Sequence, residues 1–161
     1  MAGDIPNFGE LLGPYIVSIP EASRAAFLAR LERGAAERYR SWADAAPEAA
    51  EGLRACSARE DEIADRAEKV LPPDPAHRQV LDDATPGARD AYYAVFAELP
   101  FREQLRIQAG AERQGAAAWR GIAAAHTDEA VKRELEACAQ LEEESASWLD
   151  KLLADPGVRL P

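Results

Sequence analysis

Four glutamates in this chain stand on lines of otherwise apolar residues. Glu142 interrupts a stripe that runs Leu135, Cys138, Ala146, Leu149 and Leu153, and Glu60 interrupts Leu53, Cys56, Ala64, Ala67 and Leu71. Glu32 falls in line with Ala29, Ala36, Tyr39 and Ala43, and Glu112 with Ala109, Ala116, Trp119 and Ala123. Apolar residues recurring at steps of three and four mark the inward face of a helix. An ionised carboxylate on such a face is costly unless a cation or a proton accompanies it. Four of them meeting at one level would repel strongly, and one or two divalent or trivalent metal ions would neutralise and coordinate them. Oxygen-only ligation suits manganese, magnesium, calcium or ferric iron better than zinc or copper. Without metal, the four would share protons at raised pKa values. The alternative is a set of helices rotated so that the glutamates lie at stripe edges and pair with Arg33, Arg40, Arg113 and Arg120.

The elements that must position these residues are written twice. LERGAAERYRSWADAA at 31–46 lies over AERQGAAAWRGIAAAH at 111–126 with an offset of 80 residues, and LRACSAREDEIADRAEKVL at 53–71 lies over LEACAQLEEESASWLDKLL at 135–153 with an offset of 82. Matched identities include Pro20 with Pro100, Glu32 with Glu112, Arg33 with Arg113, Arg40 with Arg120, Cys56 with Cys138, Glu60 with Glu142, and Leu71 with Leu153. Such self-similarity marks a repeated supersecondary unit.

Each unit reads as a helical hairpin. The first helix is expected to begin at SIPE, with Ser18 as cap and Glu21 reaching back, and to run to about Ala46. Pro47 opens a second helix that carries to Leu71, where PPDP stops it. In the second unit Pro100 starts a helix that ends near His126, Thr127 caps the next, and Ala154 to Pro156 closes it. The connection between the units is expected to hold a helix from about Pro86 to Glu98 with Thr85 as its cap. The reading is all-α: four long helices in two tandem hairpins joined by a long crossover, forming one bundle.

Distance from the turns tests whether the glutamates share a level. Glu32 and Glu60 each lie about 14 residues from the turn at Ala46 and Pro47, and Glu112 and Glu142 each lie 15 from Thr127. At about 1.5 Å per residue, both pairs fall roughly 21–23 Å from their turns, near mid-bundle.

The totals bound the rest. At 161 residues the chain fits a single domain, 1–161, with repeat one at about 8–75 and repeat two at about 88–157. The 19 basic against 29 acidic residues leave a net charge of -10, which argues against nucleic acid and anionic membrane surfaces as partners. The N-terminal MAGDIPNFGELLGPYIVSIP lacks the pattern of a signal peptide, and the expected location is cytoplasmic. Cys56 and Cys138 fall at apolar mid-helix positions, where the usual role is that of a small hydrophobe, and a disulfide between them is not indicated. Glu62 and Glu144 point away from the core lines and read as solvated. Tyr39 and Trp119 read as core filler, with electron transfer to a nearby metal as the sharper role for the tyrosine. AYYAVF at 91–96, with Phe101, is expected to cover one end of the bundle or to form a homodimer contact. The many alanines also admit a small-molecule pocket in the bundle core. No glycine-rich phosphate loop, activated nucleophile or zinc-ligand spacing is present in the sequence.

With its repeated hairpins and one core glutamate per helix, the chain resembles the ferritin-like superfamily, and most of all rubrerythrin and its relatives, over roughly residues 18–155. In that family each hairpin supplies a Glu from its first helix and a Glu-x-x-His from its second, together holding a di-iron or di-manganese centre. By motif position Glu32 and Glu112 match the lone glutamates, and Glu60 and Glu142 match those of the Glu-x-x-His motifs. The histidines are replaced: Ile63 follows Glu60 by three residues and Ser145 follows Glu142. His77 and His126, the only two histidines, fall in the connection and a turn. Ser145 leaves room for a water ligand, and Ile63 does not. No rubredoxin-like pair of Cys-x-x-Cys motifs is present. The resemblance implies an iron or manganese site at Glu32, Glu60, Glu112 and Glu142, with redox chemistry on dioxygen, peroxide or the metal itself. The loss of both imidazoles leaves open a scaffold without metal that serves as a binding or assembly module.

Overall fold

The computed structural model describes residues 3–161, and within them the protein is all-α with no strand. Six helices follow in order: α1 (Phe8–Ser18), α2 (Arg24–Ala45), α3 (Ala50–Val70), α4 (Arg78–Ala94), α5 (Phe101–Ala124) and α6 (Glu129–Ala154). Single 3-10 turns at Glu21–Ser23, Pro47–Ala49 and Pro75–His77 lead into α2, α3 and α4.

The two hairpins form as their sequences dictate, α2 against α3 and α5 against α6, and they meet through α3 and α6. That seam is close because Gly52 lets the Trp148 ring lie on its backbone; a Cβ at Gly52 would stand 1.8 Å from the ring. On the opposite side α2 and α5 make few backbone contacts. There α1 lies along α4 and touches α5, and α4 in turn packs on α2. Gln114 of α5 fixes the start of α1, accepting from the Phe8 N–H at 2.8 Å and donating to the Pro6 carbonyl at 2.8 Å. Under the 80-residue offset, α1 corresponds to the latter part of α4, so the repeat extends to the covering helices as well as the hairpins.

Several helix boundaries differ from the sequence expectation. Ser18 is not the cap of the first long helix; it ends α1, its hydroxyl donating to the Tyr15 carbonyl at 2.6 Å. Pro20 then holds an extended backbone (ψ 138), and α2 begins at Arg24 without a side-chain cap. The helix expected from Pro86 already starts at Arg78, and Thr85 caps nothing: its hydroxyl donates to the Leu81 carbonyl at 2.6 Å, inside the helix. Thr127 is displaced as cap of α6 by its neighbour Asp128, which accepts from the Ala130 and Val131 N–H groups.

The core falls into two main apolar clusters. One, near the α2–α3 turn, joins Tyr39, Trp42, Leu53, Phe96, Leu105 and Leu149. The other joins Ala29, Ile63, Ala67, Trp119, Leu135 and Cys138. Tyr92 and Phe96 of the AYYAVF segment are buried in the first, Phe96 edge-on to Trp42 at 5.5 Å, so this segment covers one end of the helices from within. Both cysteines are buried and free. Among the described residues no helix is long and apolar enough to cross a membrane.

Candidate metal centre

On all four long helices the glutamate lies in sequence between residues of the two apolar clusters, and the four side chains meet there. Glu60, Glu112 and Glu142 are buried, and Glu32 is half-buried. One oxygen each from Glu32, Glu60 and Glu142 lie within 4.8 Å of one another. Glu112 stands against Glu60 and Glu142 and helps raise the pKa of both. Four carboxylates that the linear sequence spreads over 111 positions thus share one chamber.

Among the described residues no cation pairs with them. Arg33 pairs with Asp61, Asp65 and Glu68, and Arg40 with Asp61 and the Ser57 hydroxyl. Arg113 pairs with Asp150, and Arg120 with Glu136 and Glu143. The stripe-edge alternative, in which these arginines neutralise the four glutamates, therefore does not hold: all four arginines turn outward to surface carboxylates. Glu62 is likewise on the outside, paired with Arg66, and Glu144 is exposed.

The electrostatic result is a set of groups that resist ionisation. Burial, then repulsion from Glu112, raises Glu32 from 4.5 to about 7. Burial raises Glu60 well above its ordinary value, reinforced by Glu112 and Glu32. Burial raises Glu142 likewise, reinforced by Glu32, Glu60 and Glu112. Desolvation and like charge act in the same direction here.

Hydrogen bonds reach only part of the cluster. Glu112 Oε1 accepts from the Tyr39 hydroxyl at 2.5 Å and from Gln108 Nε2 at 2.7 Å. Gln108 Oε1 accepts in turn from the Tyr92 hydroxyl at 2.6 Å, which ties α4 to the centre. Glu142 Oε1 accepts from the Trp119 indole at 3.1 Å, and the indole also lies close enough to Glu32 to offset part of the rise that burial imposes there. Both oxygens of Glu60 and Oε2 of Glu112 are buried with no donor. Buried polar atoms without partners are rare in folded proteins, and each such atom calls for a proton or an ion.

Glu142 has its place because of Gly115. A Cβ there would stand 2.5 Å from Glu142 Oε1 and 2.8 Å from its carboxyl carbon. The two positions that replace histidine behave differently. Ile63 is buried among apolar residues. The Ser145 hydroxyl, expected to leave room for a water ligand, instead accepts from Arg59 Nε at 2.9 Å. His77 bonds to Ser23 near the start of α4, and His126 stands beyond the end of α5. Cys56 and Cys138 are pushed by burial to about 11 and about 12, which keeps them thiols at neutral pH.

Sequence reasoning located the four glutamates but not their supports. Tyr39 and Trp119 are packed in the core and also bond to the glutamates; both are matched in the repeat and lie two turns beyond a glutamate on its own face. Gln108 sits one turn before Glu112, a spacing at which side chains meet. Its partner under the offset is Leu28, so the repeat hid it.

No family model matches the chain, and no curated protein or solved structure matches it.

Proposed function

We propose that this is a ferritin-like, metal-dependent protein in which Glu32, Glu60, Glu112 and Glu142 hold one or two hard cations, iron or manganese, at the waist of a four-helix bundle. The observation that carries the reading is Glu60: fully buried, beside three other carboxylates, with neither oxygen given a donor and no arginine or lysine turned toward it. The donor set fits such an ion. It is all oxygen, it is anionic when deprotonated, and apolar clusters pack on either side of it. Bound there, iron or manganese would supply redox chemistry on dioxygen, peroxide or the metal itself.

The chain's own part is to shape the ligand set. Tyr39 and Gln108 fix the Glu112 carboxylate from two directions. Trp119 fixes Glu142, and Gly115 leaves the space in which it stands. These supports lie on rigid helices, the arrangement that holds a site to close tolerance. Glu60 and Glu32 lack comparable anchors and are free to turn toward an incoming ion.

Titration of the purified protein with Fe(II) or Mn(II), followed by native mass spectrometry, tests this directly. Stoichiometric binding that disappears in the Glu60→Ala, Glu142→Ala double variant is expected; no binding, or binding unchanged in that variant, overturns the proposal.

A second reading is favoured by Ile63 and by the Arg59–Ser145 bond, which fill the places where the resemblance implies imidazoles. In it the bundle carries no metal, the carboxylates stay protonated, and the chain serves as a binding or assembly module. Stoichiometric redox metal in protein taken from cells would count against it.

A further inference from the structure

The carboxylates form the floor of a cavity of about 340 Å³ that opens between α2 and α5. Its walls are apolar: Leu12 and Ile16 come from α1, Leu28 and Leu31 from α2, and Ala111 and Ala118 from α5. The four large residues among these are only half-buried. By contrast, the matching space on the α3–α6 side is filled by the Trp148 ring on Gly52 and by Arg59 on Ser145.

We propose that this cavity is the binding site for a small, uncharged, apolar organic molecule, whose inner end reaches the four glutamates. The inference rests on the metal-site reading for what happens at that end, and on the cavity alone for binding.

Four features of the chamber select this ligand class. The volume is at the lower edge of the range for small-molecule sites, with room for on the order of ten methylene-sized groups. A charged group of either sign would lose its water to the apolar walls and find no free partner there to replace it. The guanidinium at its rim, Arg89, cannot compensate, because it is already paired with Glu37 and bonded to the Tyr93 hydroxyl. Water is a poor filler, since a buried water needs two to four polar partners and the upper walls offer few. A peptide from another chain is excluded by α1, which already occupies the outer face and is fixed there by Gln114.

A matched set of probes tests the inference: toluene, benzoate and benzylammonium have nearly the same size and differ in charge. Binding to the full chain is measured by calorimetry and by the change in tryptophan fluorescence, Trp119 being the tryptophan that lines the cavity. Toluene is expected to bind, with benzoate and benzylammonium each at least tenfold weaker. Leu12→Trp, which fills the chamber from α1, and Ala118→Trp, at an exposed wall position where folding is not at stake, should each weaken toluene at least tenfold while Mn(II) affinity is unchanged. Absence of toluene binding, a tenfold preference for benzylammonium, or toluene affinity indifferent to Ala118→Trp in a folded variant overturns the inference. Mn(II) binding without toluene binding removes the pocket and leaves the metal site. Toluene binding with the expected pattern but no Mn(II) binding supports the pocket and removes only the metal reading.

Discussion

In the second hairpin both glutamates are held: Glu112 by Tyr39 and Gln108, Glu142 by Trp119. In the first hairpin Glu60 has no donor at either oxygen, and Glu32 has only the edge of the Trp119 indole and its fellow carboxylates near it. The two hairpins match in sequence, yet their carboxylates differ in how they are satisfied. The difference arises because Tyr39 and Trp119, equivalent under the repeat, do not make equivalent bonds. Tyr39 reaches across from the first hairpin to serve the second, and Trp119 makes its own bond to the glutamate of its own hairpin. One half of the site is therefore oriented in advance, and the other depends on whatever ion or proton arrives.

The sharpest way to break this contrast is Glu60→Gln. It should weaken Mn(II) binding by at least a hundredfold in a calorimetric titration. In metal-free protein the stability gained by the variant should grow as the pH rises, because a glutamine at that buried position cannot ionise. Equal destabilisation by Glu60→Gln and Glu112→Gln would show that the two halves are alike after all.

The pH dependence should reverse with metal. Glu32 is raised from 4.5 to about 7, and Glu60 and Glu142 are raised well above 4.5, so the metal-free folded state holds protons that the unfolded chain has released. That contribution to stability is full below about pH 4.5 and is lost as the pH rises through 7 and beyond. Between about pH 5 and about pH 8 the Tm of metal-free protein should fall, and with saturating Mn(II) it should rise, since the ion requires deprotonated ligands. Parallel curves would remove the link between the cluster and metal.

Gly115→Ala should displace Glu142 and weaken Mn(II) binding about tenfold, with little change in helix content by circular dichroism. Tyr39→Phe should cost about 1–3 kcal/mol in chemical denaturation, as expected when a buried acceptor loses a donor. The smallest effect belongs to Arg33→Ala, at less than about 1 kcal/mol and with metal affinity unchanged, because Arg33 serves exposed carboxylates outside the chamber.

The glutamates were legible because two independent signals converge on them, the interrupted stripes and their equal distances from the hairpin turns. Helix type and the hairpin order followed from apolar spacing and prolines. The failures have local causes. Thr85 before Pro86 has the form of a helix start, but α4 runs through both, with the threonine hydroxyl turned back to the Leu81 carbonyl. Asp128 outcompetes Thr127 as cap because its carboxylate meets two N–H groups at once. The cavity was unreadable in detail, since it depends on how far α2 and α5 stand apart and on α1 closing the gap, and neither is a property of any one segment. Tyr39 and Gln108 were hidden because a side chain's partner lies on another helix, beyond the reach of periodicity.

The bonds from Tyr92 through Gln108 to Glu112 have a direction. As they stand, every hydrogen points inward, toward the carboxylate. Should Glu112 itself take up a hydrogen and offer it to Gln108, the amide must turn over, and the phenol on α4 must change from giving to receiving. A change at Glu112 would in this way reach an α4 ring at the far end of the row through the orientation of one side-chain amide.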